Sequence, residues 1–472
     1  MTRGTIPPEA NASTLGSLMK IASHTALSHE HVKHVQALVA DGSKALAQAV
    51  LLAAVRLPGD DIAVLEALAF QAFGLGVHAV AREFYRRTTV ARPGDATCWY
   101  NLASAERTLG QLEAAEQACD RALQRDPGLA AAALLRSELR RQSAEANHVD
   151  QLRQWLARTP VGPAAIALNY ALGKELDDLA DYDAAFACFA RGAALRRAGL
   201  AYDVAQDLWK LQRIRETFGQ ARLNAAPGLE PAAFGFIVGM PRSGTTLIER
   251  VLTGSAAATS NGETDNLLRA LMEGSPQAVP DIFERIAAAD PASVVQRYRA
   301  LAGARDEGEI VLEKLPLNYL YAGAIRLTLP SARILLLQRT PADNCLAMFT
   351  TLFGSGYPFS YDLADLARYF IGYQALIAHW QTVMPDQIQA VSYDAFVADP
   401  EPAGQRIAAH MGVPWDPALL KVEANQGSTA TASAAQVRKP IYTASSGRWR
   451  NYARHLVPLT NALEDAGIAP FG

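Results

Sequence analysis

Pro93 and Pro127 stand 34 residues apart, and each closes a segment patterned as a helix. Between them fall Trp99, Leu102, Ala103, Gly110, Ala115 and Ala122, so large residues of a first helix meet small ones of a second. The preceding stretch repeats the pattern with Leu65, Leu68, Ala69, Gly76, Ala81 and Tyr85, and a later one with Leu172-Gly173, Tyr182, Ala185, Phe189 and Gly192. A single helical pair cannot bury its apolar face alone, whereas stacked copies can, so a period of this length dictates a solenoid. The spacing predicts three to five pairs. The interval Gly128 to Pro160 is helical but degenerate, and two Ala-rich amphipathic segments before Pro58 form a further unit or a cap.

Helical patterning runs to about Phe218 and is broken by Ala225-Ala226-Pro227-Gly228-Leu229-Glu230-Pro231, a linker by its Pro and Gly content. Beyond it the period changes. Phe234 to Gly239, Ile334 to Leu337 and Ile388 to Tyr393 are short apolar runs separated by helical stretches, the pattern of a mainly parallel α/β sheet covered on both faces. The predicted architecture is therefore α followed by α/β: a helical repeat solenoid over residues 1–220 and an α/β domain over 232–472. A chain of 472 residues exceeds one ordinary domain, in agreement with that division.

Charge and cysteine usage narrow the function classes. The formal net charge is −3 and no long basic run occurs, which argues against general nucleic-acid binding and requires any anion site to be local. The first eight residues lack the apolar core of a signal peptide, and the longest apolar stretches, such as Ala45 to Val55, are too short to span a membrane. Cys98, Cys119, Cys188 and Cys345 show no C-x-x-C spacing and read as reduced structural thiols. No His-x-x-x-His pair suggests a metal. His379, His410 and His455 read as helix-surface positions, Trp380, Trp415 and Trp449 as packing residues, and Asp394, Asp399 and Asp416 as caps. These features predict a soluble, cytoplasmic protein without a metal.

The strongest chemical signal is Gly239-Met240-Pro241-Arg242-Ser243-Gly244-Thr245-Thr246-Leu247, between a strand and a helix starting near Ile248. Such a loop gathers backbone N–H groups around an anion at a helix N-terminus. Its spacing is close to G-x4-G-K-[ST], but Thr245 stands where a nucleoside triphosphatase needs lysine. Arg242 with the Thr245 and Thr246 hydroxyls is suited to hold a 5′-phosphosulfate without a metal.

At this loop the chain resembles the sulfotransferase superfamily, whose 5′-phosphosulfate loop matches Arg242, Ser243, Gly244, Thr245 and Thr246. The resemblance is nearest to tyrosylprotein sulfotransferases and to bacterial proteins joining tetratricopeptide repeats to a sulfotransferase domain, and it extends over residues 235–460. It implies 3′-phosphoadenosine 5′-phosphosulfate (PAPS) as sulfuryl donor, no metal, and a P-loop-like α/β fold. Glu263, 21 residues after Arg242 in Asn261-Gly262-Glu263-Thr264, matches the family's catalytic base. Lys314, in Glu313-Lys314-Leu315-Pro316-Leu317-Asn318, matches a lysine on the transferring group, and Arg339 matches the clamp on the 3′-phosphate. Ser433, opening Ser433-Ala434-Ala435-Gln436-Val437-Arg438-Lys439-Pro440, matches a serine that supports the transition state. Arg448, 15 residues later, stands where the family has a phosphate-binding lysine, and Tyr393 matches a tyrosine near the nucleotide. One position departs from the pattern: eight residues after Arg339 the family has a serine on the 3′-phosphate and this chain has Ala347. Thr350 and Thr351 lie one turn onward as substitutes.

The reading implied is transfer of a sulfuryl group onto an acceptor hydroxyl, with peptide tyrosine, a glycan and a small molecule all open as acceptors and a protein partner on the solenoid. Two rivals are a non-catalytic repeat adaptor with a degenerate nucleotide-binding domain, supported by Ala347, and a variant P-loop kinase, opposed by Thr245.

Overall fold

The structure, a computed structural model, describes residues 26–224, 226, 234–303, 309–354, 356–425, 427–429, 434 and 436–471. The chain start and all of the expected linker except Ala226 lie outside the described residues. By its packing the chain divides into two units, Met1–Ala132 and Ala133–Gly472. The change of sequence pattern at 220–232 is thus not where the packing divides, because the later repeat helices pack with the α/β part.

In the first unit six helices run in pairs: α1 (His29–Asp41), α2 (Lys44–Ala54), α3 (Ile62–Gly74), α4 (His78–Ala91), α5 (Ala96–Leu109) and α6 (Leu112–Arg125). Asp61 and Asp95 begin α3 and α5 by accepting from the amides of Ala63 and Thr97. Gly76 and Gly110, both at φ 79°, make the turns inside the α3–α4 and α5–α6 pairs. Val35, Leu51, Leu65, Leu68 and Phe84 are fully buried in the core of this unit.

The division falls within α7 (Ala130–Leu139). The second unit continues with α8 (Val149–Arg158), α9 (Gly162–Asp178), α10 (Tyr182–Ala198) and α11 (Val204–Thr217). The α9–α10 hairpin is docked on the chain's last third: Phe186 stacks on Phe349 and on His455, at ring-centroid separations of 5.6 and 4.3 Å, and Arg197 pairs with Asp365 at 2.9 Å.

Five parallel strands, β1 (Phe234–Gly239), β2 (Ala258–Ser260), β3 (Ile310–Glu313), β4 (Arg333–Gln338) and β5 (Ile388–Ser392), form a sheet in the order β2-β3-β1-β4-β5. The three apolar runs read in the sequence are β1, β4 and β5; β2 and β3 were too short to stand out. All of β1 is buried, and Phe236 faces Ile334 on one side and Glu313 on the other. Because the strands are parallel, their carboxyl ends share one edge, where Gly239 ends β1 and Lys314 and Arg339 follow β3 and β4. Around the sheet pack α12 (Thr245–Leu252), α13 (Asn266–Glu273), α14 (Pro341–Phe349), α15 (Leu363–Val383), α16 (Tyr393–Ala398) and, last in the chain, α17 (Ala453–Asp465).

Some side chains differ from their sequence reading. The three helix-surface histidines are half-buried: His379 Nε2 meets Phe218 O at 2.9 Å, His410 Nε2 meets Ile334 O at 3.2 Å, and His455 stacks as above. Trp380 is buried and donates to Tyr319 O at 2.9 Å, as a packing residue should. None of the four cysteines is in a disulfide. No helix among the described residues is long and apolar enough to cross a membrane.

Candidate active site

The loop between β1 and α12 is shaped by residues that no other backbone would fit. Gly239 has φ 150°, and a Cβ there would lie 2.4 Å from Leu337 O. Gly244 has φ 100°, and its Cβ would meet the Tyr393 ring at 2.3 Å. Arg242 itself adopts φ 67°, a left-handed conformation that costs a residue with a side chain about 1–2 kcal/mol. Asn344 holds the loop from α14, donating to Pro241 O at 2.9 Å. Thr245 and Thr246 open α12 and are nearly fully buried. The buried Ser243 Oγ has no hydrogen-bond partner among the described residues. A glycine-lined cradle at a helix N-terminus is what an anion would occupy.

Positive charge converges here. Arg339 donates to Arg242 O at 3.1 Å and to Ser445 O, with its guanidinium carbon 5.2 Å from the centre of the Tyr393 ring. Tyr393 Oη lies 2.6 Å from Ser445 Oγ. Arg242 donates to Gln436 Oε1 at 2.9 Å. Desolvation first, and the like charge of Arg339 second, pull the Arg242 guanidinium down to about 10. It stays charged at neutral pH, and an anion between these cations would relieve their repulsion.

The segment bearing Arg448 is fixed by two carboxylates. Asp343 accepts from the amides of Gly447 and Trp449 at 2.5 and 2.8 Å. Asp394 accepts from Ser446 Oγ and from both the amide and hydroxyl of Thr340. These hydrogen bonds hold the Asp394 carboxyl below the usual range although burial opposes them. Asp394 is thus a cross-link rather than the cap expected, because Ser392 caps α16 instead. Asp416 does cap its turn, accepting from the Ala418 amide.

Glu263 and Lys314 meet at the end of β3. Lys314 is fully buried, not at the surface, and its Nζ donates to Glu263 Oε1 with Glu249 Oε2 at 3.7 Å. The Lys314 amide donates to Gly262 O at 3.1 Å, which keeps Glu263 in register with β3. Glu249, on α12, accepts from Ser260 Oγ. Sequence reasoning missed Glu249; its place one helical turn after Thr245 was the available signal. Glu313 points away from this pair, accepting from Tyr298 and Asn318, and burial pushes it up to about 7.

One cavity of about 480 Å³ is lined by Arg242, Gly244, Thr245, Thr246, Glu263, Arg339, Tyr393 and Arg448. Ser243 and Lys314 sit behind its wall, and Ser433 lies outside the described residues. Ala347 is on the wall. Neither proposed substitute supplies its missing hydroxyl, since Thr350 and Thr351 donate to Leu346 O and Ala347 O at 2.9 and 2.7 Å within their own helix turn.

Residues 236–417 match the sulfotransferase family model, and residues 96–129 match that of the tetratricopeptide repeat. The chain carries a sulfotransferase domain. It is also similar to an uncharacterized protein of Aquifex aeolicus (strain VF5), 27% identical over 338 residues that make up 67% of this chain and 44% of that one. The chain therefore spans less than half the length of this relative. Among solved structures, the sulfotransferase domain of the Synechococcus PCC 7002 olefin synthase is 19% identical with a TM-score of 0.35, covering 51% of this chain and 98% of that one. Mouse sulfotransferase SULT7A1 complexed with PAP is 16% identical with a TM-score of 0.31, covering 52% and 89%.

The lining of the same cavity includes aromatic and apolar residues. Phe353, Tyr357 and Pro316 line it together with Glu263. Tyr357 adopts φ 57° and packs edge-on against Phe353, with ring centroids 4.7 Å apart. Burial, and secondarily the Glu263 charge, raise its phenol so that it stays protonated. Nothing in the sequence pattern marked this aromatic wall.

Proposed function

We propose that this protein transfers a sulfuryl group from PAPS to an acceptor hydroxyl. The observation that carries the reading is a single cavity with Arg242, Arg339 and Arg448 on its wall and Glu263 backed by Lys314 on the same wall. The loop amides, Arg242 and the Thr245 and Thr246 hydroxyls would hold the 5′ end of the donor. Arg339 and Arg448 would hold its phosphates, with Tyr393 beneath Arg339.

The donor supplies the sulfuryl group. Glu263 takes the proton of the acceptor hydroxyl, whose oxygen forms the new bond to sulfur. The bond from sulfur to the 5′-phosphate oxygen breaks, and its electron pair leaves with 3′-phosphoadenosine 5′-phosphate (PAP). Lys314 and Arg242 stabilise charge on the oxygens being parted, and we assign Ser433 the same task from its family position. Alignment of donor and acceptor in one cavity supplies much of the rate. The aromatic wall, beside Glu263, is where the acceptor would enter. The helical repeats give a surface on which a peptide acceptor or protein partner would dock.

The test is incubation with sulfur-35-labelled PAPS and a panel of phenols, tyrosine peptides and glycans. Label on an acceptor, with one PAP released per transfer, is expected. No transfer to any acceptor, together with magnesium-dependent turnover of ATP, would overturn the reading in favour of a kinase.

A further inference from the structure

The cavity is not built by the sulfotransferase domain alone. Asp177 and Asp178, at the end of α9, and Tyr182, at the start of α10, line it as well. Two carboxylates on the wall of an anion site need an explanation. They also occupy the last turn of α9, where the helix dipole disfavours negative charge and where no basic residue stands. Each is neutralised, but by different means. Asp178 accepts from Lys174 Nζ at 2.5 Å on its own helix and from the Gln142 amide at 2.8 Å. Asp177 reaches across 271 positions of sequence: its Oδ2 accepts from Arg448 Nη2 and its Oδ1 from Tyr452 Oη, each at 2.5 Å.

Arg448, on the cavity wall, has a carboxylate partner. Burial works against its charge, but the Asp177 contact more than offsets that and keeps the guanidinium protonated. A pair of this kind leaves the remaining N–H groups of the fork aimed in a fixed direction, which a long side chain would not hold unaided. Both oxygens of Asp177 are used by protein donors, so it does not itself face an incoming anion with free charge. Its partner then has a defined orientation in a place where Ala347 leaves the donor one hydroxyl short.

We propose that Asp177 is a positioning residue for the donor site: carried by a repeat-type helical hairpin, it fixes Arg448 against the cavity, so that donor phosphate recognition depends on the helical segment. The hairpin is then part of the nucleotide site rather than only a docking surface for partners. This inference rests on the donor reading above.

The experiment is calorimetric binding of PAP to the full chain, with KM for PAPS and kcat, for wild type, Asp177→Asn, Arg448→Ala, the double variant, and Tyr452→Phe. Asp177→Asn should weaken PAP binding and raise KM about tenfold, the loss of roughly one charge-assisted hydrogen bond, with kcat within about twofold. In the Arg448→Ala background the same change should have no further effect, because its action runs through Arg448. Tyr452→Phe, which removes the phenol that touches both Asp177 and Arg448 but keeps their ion pair, should bind PAP within about twofold of wild type. Equal losses in Asp177→Asn and Tyr452→Phe, or an Asp177→Asn loss that persists without Arg448, would overturn the proposal in favour of a purely structural role. Unchanged PAP affinity in Asp177→Asn would also overturn it. If Asp177→Asn does not fold, Asp177→Glu carries the same comparison with the charge kept. Failure of the wild type to bind PAP would instead sink the donor reading, and this inference with it.

Discussion

Lys314 Nζ lies 3.7 Å from Glu249 Oε2 while donating to Glu263, so one fully buried ammonium is shared between a helix carboxylate and the proposed base. Removing a partner from a buried ionic group is far more damaging than removing the group as a whole. Lys314→Met should therefore lower the melting temperature and abolish turnover. Adding Glu249→Gln should recover much of the stability and none of the turnover. Recovery of turnover in the double variant would show that Lys314 is structural only.

Glu263 lines the cavity and is more than a third exposed, as the proposed base should be. Glu263→Gln should cut turnover by about a hundredfold or more while PAP affinity stays within about twofold. Single-turnover assay and calorimetry on the same sample separate the two effects.

Ala347 gives a gain-of-function test. Its side chain is on the cavity wall and the neighbouring threonine hydroxyls are already engaged. Ala347→Ser should tighten PAP binding about fivefold and leave 5′-AMP binding unchanged, as one added hydrogen bond to a charged phosphate would. Equal changes for both nucleotides would place the 3′-phosphate elsewhere.

The α9–α10 turn carries a strained alanine. Ala180 has φ 63° where the corresponding turns of the first unit carry Gly76 and Gly110 at φ 79°. Relief of left-handed strain, less the chain entropy that glycine loses on folding, should make Ala180→Gly about 0.5–1 kcal/mol more stable. The shift in denaturant midpoint measures it, with PAP affinity unchanged.

How much of this was readable in the sequence depended on how local each signal was. The phosphate loop was legible because strand, glycines and helix start follow each other within a dozen residues. The repeats were legible because each pair repeats its own contacts. Strands β2 and β3 were not, since three or four residues give no period and their pairing to β1 is made by the sheet. The motif singled out Lys314, but its burial beside Glu263 and Glu249 is something no spacing announces. Asp177 and Asp394 act on segments 271 and 52 positions away, and only the fold brings those together. The local period changes at 220–232, while packing groups the later repeat helices with the sheet in one unit.

Glu313 predicts a pH dependence unrelated to catalysis. Burial raises its carboxyl from 4.5 to about 7. Between those values the unfolded chain releases the proton while the folded chain keeps it, so stability falls as pH rises through that window and is flat above it. The loss is at most about 3 kcal/mol. Glu313→Gln should flatten the decline in melting temperature between pH 5 and pH 8, and an unchanged slope would assign it to other groups.

The most direct test of the central claim is calorimetric titration of the wild type with PAP beside 5′-AMP and magnesium ATP. The account predicts micromolar PAP binding with 5′-AMP at least about tenfold weaker, because Arg339 reads the 3′-phosphate that AMP lacks. No binding of PAP, or a preference for magnesium ATP, would contradict it.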